Sequence, residues 1–129
     1  MTAPGDPVVC CDLDGVLWRG DRAIDGSAHA VAALRDAGMR VAFLTNNSSR
    51  TVGVIVDQLA SMGVPADSGD VLTSAQAAVR LLAGELASGA RVLVCAGAGV
   101  REALADAGFT IVDAAPVEAV VVGWHHDFD

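Results

Sequence analysis

Two aspartates stand two residues apart, directly after an apolar run near the amino terminus. Asp12 and Asp14 follow the run at residues 8–11 and precede Gly15. Residues two apart in extended backbone point to the same face, so we expect the two carboxylates to lie close together. A shared proton or a bound cation relieves their mutual repulsion. Mg²⁺ shares protein carboxylates with substrate phosphates, and the pair is therefore a candidate magnesium site.

The same pair suits phosphoryl chemistry. One carboxylate can attack phosphorus to form an aspartyl-phosphate, and the other can protonate the leaving oxygen and later activate water. Gly15 allows the backbone to turn sharply and to bring N–H groups near an anion. A D-x-D sequence at a strand end is common, so this pair alone leaves a catalytic site and a solvated strand end as alternatives.

A second apolar run, at residues 41–44, also ends in polar residues, Thr45 and Asn46. In an open parallel sheet, ligands bind beyond the carboxyl ends of the strands. A right-handed crossover helix between the two runs would place their strands side by side. The Thr45 hydroxyl and the amides around Asn46 can donate hydrogen bonds to phosphoryl oxygens. These residues, with Gly15, are therefore candidate phosphate ligands.

The elements that must position these residues follow from apolar spacing. Helical spacing predicts helices after Ser27, Thr51 and Ser74 and another around Val100. The predicted strands cover residues 8–13, 40–44, 91–95, 110–112 and 119–122. Alternation of short strands with helices indicates a parallel, doubly wound α/β sheet. A polar stretch with Pro65 precedes a restart of the pattern, which indicates two parts, residues 1–74 and residues 75–129.

Composition narrows the class of protein. The 129 residues carry a net charge of −8, which argues against a nucleic-acid partner. No apolar stretch reaches the roughly 20 residues that span a bilayer, and the start of the chain does not resemble a secretory signal. The three cysteines read as reduced, buried thiols, so we expect a cytoplasmic protein without a membrane partner.

The ordered motifs resemble the haloacid dehalogenase superfamily. They are DLDGVL at residues 12–17 and FLTNNSSR at residues 43–50. The second string is similar to that of the class IIA branch, the NagD-like and 4-nitrophenylphosphatase-like phosphatases. Further similarity continues to VVVG at residues 120–123. The resemblance implies a Rossmann-like parallel sheet core with an inserted α/β cap domain, which would begin near residue 75.

The resemblance also implies roles for the candidate residues. Asp12 would be the nucleophile and Asp14 the general acid/base. The Asp12 carboxylate and the Asp14 backbone carbonyl would ligate Mg²⁺, and Thr45 with Asn46 would hold the phosphate. The second aspartate favours phosphoryl transfer over dehalogenation, because an alkoxide leaving group needs a proton. The expected substrate is a small phosphorylated metabolite, and caps of this branch often contribute homodimer contacts.

Two elements of that family pattern are missing from the sequence. All eight basic residues are arginines, so no lysine can serve as the third motif, and no G-D-x-x-x-D string follows the second motif to provide the fourth. We therefore expect an N-terminal portion of a phosphatase, with an incomplete core. The alternatives are a catalytically incomplete module that binds phosphate or a partner at most, and, more remotely, a phosphotransferase.

Three weaker signals accompany the motifs. The glycines at Gly97 and Gly99 invite a dinucleotide-binding interpretation, but the usual third glycine is absent. His125 and His126 precede Asp127, which we interpret as a polar cap loop with Asp127 as a candidate specificity residue. Trp18 would either shield the site from water or pack in the core.

Overall fold

Two three-stranded sheets organise the chain, and the α/β fold class is confirmed. The computed structural model describes Gly5 and residues 7–125. The chain divides into two compact units. The first comprises Met1–Thr45 and Gly53–Leu72, and the second comprises Asn46–Val52 and Thr73–Asp129. The segment Asn46–Val52, which follows the second predicted strand, thus belongs to the later unit.

One three-stranded sheet consists of β1 (Val8–Asp12), β4 (Arg40–Thr45) and β5 (Val71–Thr73), in the strand order β1-β4-β5. Strand β1 (Val8–Asp12) pairs in parallel with β4 (Arg40–Thr45), and Asp12 lies opposite Leu44. The sequence predicted these two strands but not the short β5, which follows a 3₁₀ helix at Ser68–Asp70. The remaining elements are the short strands β2 (Trp18–Arg19) and β3 (Arg22–Ala23), which form a small hairpin, and the helices α1 (Ser27–Asp36) and α2 (Val52–Ser61).

The core of the first unit follows the predicted periodicities. Along β4, Val41, Phe43 and Thr45 are buried in strict alternation, as expected for a period of two. On α2, Ile55 and Leu59 are buried one helical turn apart. Each of the apolar side chains among these contributes on the order of 1.5–3 kcal/mol when it is fully buried.

The second unit is built around the central strand β6 (Arg91–Cys95). Strands β7 (Thr110–Val112) and β8 (Ala119–Val122) pair with it in parallel on either side. All three strands were predicted at these positions. Helices α3 (Ser74–Glu85) and α4 (Ala98–Asp106) complete the unit.

Helix α3 begins at Ser74, one residue before the predicted start, because Thr73 caps it. The Gln76 backbone N–H donates to Thr73 Oγ1 over 3.2 Å, and the Thr73 backbone N–H donates to Gln76 Oε1 over 2.9 Å. This reciprocal capping box satisfies two donors at the helix start. Among the described residues, no helix is both long and apolar enough to cross a membrane.

Two glycines of the second unit accommodate the segment Asn46–Val52. The Gly99 N–H donates to the carbonyl oxygen of Ser49 over 3.0 Å. A Cβ on Gly97 would lie 2.9 Å from Ser49 Cα, and one on Gly99 would overlap the carbonyl oxygen of Arg50. These glycines therefore allow the two backbone segments to pack closely. This packing accounts for the glycine pattern that resembled a dinucleotide-binding loop.

Hydrogen bonds add to that packing. The Val52 backbone N–H, at the start of α2, donates to Glu102 Oε1 over 3.1 Å. The Trp124 backbone N–H donates to Ser48 Oγ over 3.1 Å. The segment is thus bonded at both ends to residues that lie about fifty or more positions later.

Replacing Gly99 with alanine should destabilise the protein. Because the new methyl group meets backbone atoms, which cannot rotate away, we expect Gly99→Ala to lower the free energy of unfolding by about 1–3 kcal/mol. Urea denaturation followed by circular dichroism measures this change. The matched control is Gly84→Ala in α3, where a Cβ meets nothing within 4 Å; it should stabilise the helix by up to about 1 kcal/mol. Equal midpoints for both variants would contradict the packing role of Gly99.

Candidate active site

Leu13 separates the two aspartates and determines the face they occupy. Its side chain is 0% exposed, whereas Asp12 and Asp14 are both exposed. Asp12 is the last residue of β1, and its partner Leu44 directly precedes Thr45 on the neighbouring parallel strand. Asp12 and Thr45 therefore lie at the same end of adjacent strands, where the sheet presents its polar strand ends.

A tight turn follows, and the Leu13 carbonyl oxygen organises it. It accepts the N–H groups of Leu17 at 2.9 Å and of Trp18 at 3.3 Å. Gly15 has a φ of 86° in this turn, a left-handed conformation that glycine adopts without a Cβ clash. The Gly15 N–H donates to the Trp18 carbonyl oxygen over 2.7 Å. Gly15 thus shapes the turn, and its role at a phosphate stays a prediction.

Trp18 is bonded directly to one of the candidate catalytic residues. Its side chain is only 2% exposed, and its indole Nε1–H donates to Asp14 Oδ1 over 2.9 Å. Trp18 was expected either to shield the site from water or to pack in the core. The structure shows core packing, together with this hydrogen bond. The sequence did not predict this bond, although a donor four residues after an aspartate, across a glycine turn, was a usable signal.

Thr45 and Asn46 are adjacent in the chain but fall in different units. Thr45 ends β4 and is 7% exposed. Asn46 is exposed, and its carbonyl oxygen accepts the Ser74 hydroxyl over 2.8 Å. No local sequence pattern links Ser74 to Asn46, so this contact was not predictable. In the first unit, the structure brings Asp12, Asp14, Gly15 and Thr45 to one strand end.

Asn47 stabilises the loop after Asn46. Its Oδ1 accepts the Ser49 backbone N–H over 2.9 Å and the Ser49 hydroxyl over 2.7 Å. Such a side-chain turn holds the backbone without a partner strand. The loop that carries the second motif is therefore locally ordered.

Cys11 is next to Asp12 but is not a competing nucleophile. Burial, and then the negative charge of Asp12, raise the pKa of its thiol. The thiol therefore stays protonated at neutral pH, and only the thiolate is strongly nucleophilic. Its S–H group donates to the Asp12 carbonyl oxygen, with Sγ 3.3 Å from that oxygen. Cys10, Cys11 and Cys95 are all free cysteines, but the expectation that they are buried is wrong, because Cys10 is exposed and the other two are half-buried.

The donor set at this strand end fits a hard cation in part. Within residues 7–125, no group of three His, Cys, Asp or Glu side chains is placed to hold a metal ion. Mg²⁺ nevertheless binds commonly through one or two protein carboxylates, with water and substrate phosphate completing its shell. The exposed Asp12 carboxylate suits that role, with the Asp14 backbone carbonyl as the second ligand that the resemblance implies. His126 and Asp127, the other polar candidates, lie outside the described residues.

Comparison with known proteins places the chain in a family. The model of the haloacid dehalogenase-like hydrolases matches residues 9–110. The acid sugar phosphatase of Staphylococcus saprophyticus is 35% identical over 112 residues, which are 87% of this chain and 43% of that protein. The D-glycerol 3-phosphate phosphatase of Mycobacterium tuberculosis is 42% identical over 83 residues, 64% of this chain and 23% of that one. The chain thus spans less than half the length of these relatives.

Solved structures agree with this placement. The glycerol phosphate phosphatase of Mycobacterium tuberculosis in complex with magnesium superposes with a TM-score of 0.86 at 34% identity, over 96% of this chain and 37% of that one. NagD from Escherichia coli K-12 gives a TM-score of 0.80 at 30% identity, over 96% and 48%. The chain belongs to the haloacid dehalogenase-like hydrolases, and its relatives include the NagD and p-nitrophenyl phosphatase proteins of the class IIA branch.

Proposed function

We propose that the protein carrying this chain is a magnesium-dependent phosphatase that hydrolyses a small phosphomonoester through an aspartyl-phosphate on Asp12. The observation that supports this most is the exposed pair Asp12 and Asp14, held on either side of the buried Leu13 at the end of β1. The phosphatase names of the relatives support the reaction class.

The first half-reaction transfers the phosphoryl group to the protein. An Asp12 carboxylate oxygen bonds to phosphorus while the bond from phosphorus to the leaving oxygen breaks. Asp14, as the acid, gives its proton to that leaving oxygen. Thr45 supplies a hydroxyl for the phosphoryl oxygens, and Asn46 contributes an amide group. Mg²⁺, bound by the Asp12 carboxylate and the Asp14 carbonyl, would neutralise negative charge on the phosphate.

The second half-reaction restores the protein. Asp14, now a carboxylate, takes a proton from water as the water oxygen bonds to phosphorus. The bond between phosphorus and the Asp12 oxygen breaks, which releases inorganic phosphate and regenerates the protonated Asp14. The two aspartates thus need no other proton carrier for a complete cycle.

We assign residues 1–74 to the hydrolase core and residues 75–129 to the first part of the cap. The boundary between the two units at Thr73 supports the start of the cap near residue 75, although the second unit also contains Asn46–Val52. Candidate substrates are small phosphorylated metabolites, in keeping with relatives named acid sugar phosphatase, glycerol-3-phosphate phosphatase and 5'-nucleotidase. The free cysteines support a reducing, cytoplasmic location, and the charge of −8 argues against nucleic acid. A homodimer stays a prediction from the resemblance.

A second function is a binding module without turnover. It is favoured by the absence of lysine from the sequence, since a lysine is the expected third motif. The two functions differ in a simple assay. The phosphatase releases inorganic phosphate with multiple turnovers, whereas the module binds phosphate, as calorimetry would detect, and releases none from esters.

Replacing the nucleophile should abolish turnover without unfolding the protein. Because an amide cannot form the covalent intermediate, we expect Asp12→Asn to lower kcat at least about a thousandfold. The exposed position predicts a change in unfolding free energy within about 0.5 kcal/mol. Phosphate release from a panel of phosphomonoesters measures the effect. Asp57→Asn, the same change on an exposed position of α2, is the matched control and should keep wild-type activity. Wild-type activity in Asp12→Asn would refute the assignment.

Removing the metal should have a comparable effect on the wild-type protein. Because the Asp12 carboxylate must approach an anionic phosphate, we expect EDTA to lower phosphate release on the order of a hundredfold or more. Excess Mg²⁺ should restore it. Asp12→Asn should stay inactive with and without Mg²⁺. Activity that survives exhaustive chelation would show that the aspartates work without a cation.

A further inference from the structure

The indole of Trp18 restricts how Asp14 can use its two oxygens. The Nε1–H group donates to Asp14 Oδ1 over 2.9 Å, and Trp18 is 2% exposed. An indole nitrogen is a donor and never an acceptor. Asp14 Oδ1 must therefore present a lone pair to it in both charge states of the carboxyl group. A carbonyl oxygen accepts a hydrogen bond more strongly than a hydroxyl oxygen, so in protonated Asp14 this bond favours the proton on Oδ2.

The donor is held rigidly with respect to the Asp14 backbone. Trp18 begins β2 and pairs with Ala23 of β3. Its backbone N–H donates to the Leu13 carbonyl oxygen, and its carbonyl oxygen accepts the Gly15 N–H. The residues on both sides of Asp14 are thus bonded to the backbone of Trp18. Asp14 itself is exposed, so its carboxyl group would otherwise rotate among several side-chain conformations.

We infer that Trp18 is a positioning residue for proton transfer: it engages Oδ1 of Asp14 and leaves Oδ2 as the oxygen that exchanges the proton. This inference rests on the proposed function, in which Asp14 is the acid. As the Asp12 oxygen bonds to phosphorus and the leaving group departs, the proton passes from Asp14 Oδ2 to the leaving oxygen. In the second half-reaction the same Oδ2 takes a proton from the attacking water.

The rival explanation is that Trp18 only packs in the core. The two differ in how they respond to the leaving group. The alkoxide of glycerol 3-phosphate needs a proton as it departs, whereas 4-nitrophenolate is stable without one. Loss of positioning at Asp14 therefore slows hydrolysis of the alkyl ester selectively. A general loss of structure slows hydrolysis of both esters by the same factor. The parameter kcat/KM reports the first half-reaction, in which the leaving group departs.

The decisive variant is Trp18→Phe, which keeps an aromatic ring and removes the donor. We expect kcat/KM for glycerol 3-phosphate to fall about tenfold, a modest part of the effect of a general acid, and for 4-nitrophenyl phosphate by less than about threefold. The control is Val31→Ala in the core of the same unit, which should change both esters by the same factor. Equal losses on the two esters in Trp18→Phe would overturn the inference.

A double-mutant cycle tests whether Trp18 acts through Asp14. Asp14→Asn should show a larger selective loss on the alkyl ester, and adding Trp18→Phe should lower kcat/KM by no more than about twofold further. A further full tenfold loss would mean that Trp18 acts independently of Asp14. Wild-type protein that releases no phosphate from any ester of the panel would instead refute the proposed function, so the two failures are distinguishable.

An isosteric replacement covers the case in which Trp18→Phe does not fold. In a Trp124→Phe background, replacing the remaining tryptophan by 3-benzothienylalanine exchanges the indole N–H for sulfur and preserves the ring shape. The substituted protein should show the same selective loss on glycerol 3-phosphate. Unchanged kcat/KM for both esters would overturn the inference, because the donor would then be dispensable.

Discussion

The burial of Leu13 is the constraint on which the candidate site depends. Its side chain is fully buried, so the residues on either side must face outward, and these are Asp12 and Asp14. Its carbonyl oxygen also accepts the N–H groups that form the following turn. A slip of one residue in the pairing of β1 with β4 would exchange the two faces of the strand. The hydrophobic effect on one leucine therefore selects which side chains are available for chemistry.

The second motif depends on a different kind of constraint. The segment Asn46–Val52 has little apolar side-chain volume, and it is held by backbone hydrogen bonds and by two glycines that allow close approach. Ser74 and Asn47 add side-chain hydrogen bonds at the start of the loop. The aspartates are thus fixed by core packing, whereas the loop that carries Asn46 is fixed by polar groups of the second unit.

Most strands and helices of the fold could be predicted from the sequence, for physical reasons. Strands β1, β4, β6, β7 and β8 have apolar runs of ordinary length, and α1 to α4 show helical spacing, so periodicity located them. Strand β5 was missed because its few residues follow a polar stretch that resembled a linker. The bond from Trp18 to Asp14 depends on the turn geometry at Gly15. The position of Asn46–Val52 depends on contacts with residues about fifty positions away, which no local pattern encodes.

The hydrogen bond between Val52 and Glu102 has a consequence for how the chain acquires its structure. The first N–H groups of a helix have no partner within it, and at α2 one of them is satisfied by a side chain of α4. During synthesis, α2 emerges well before Glu102 exists. Its start must then rely on water or on transient partners until α4 has formed. Contacts of such long sequence separation slow folding, because closing the intervening loop costs entropy before the contact forms. Completion of α2 is therefore expected among the later events of folding.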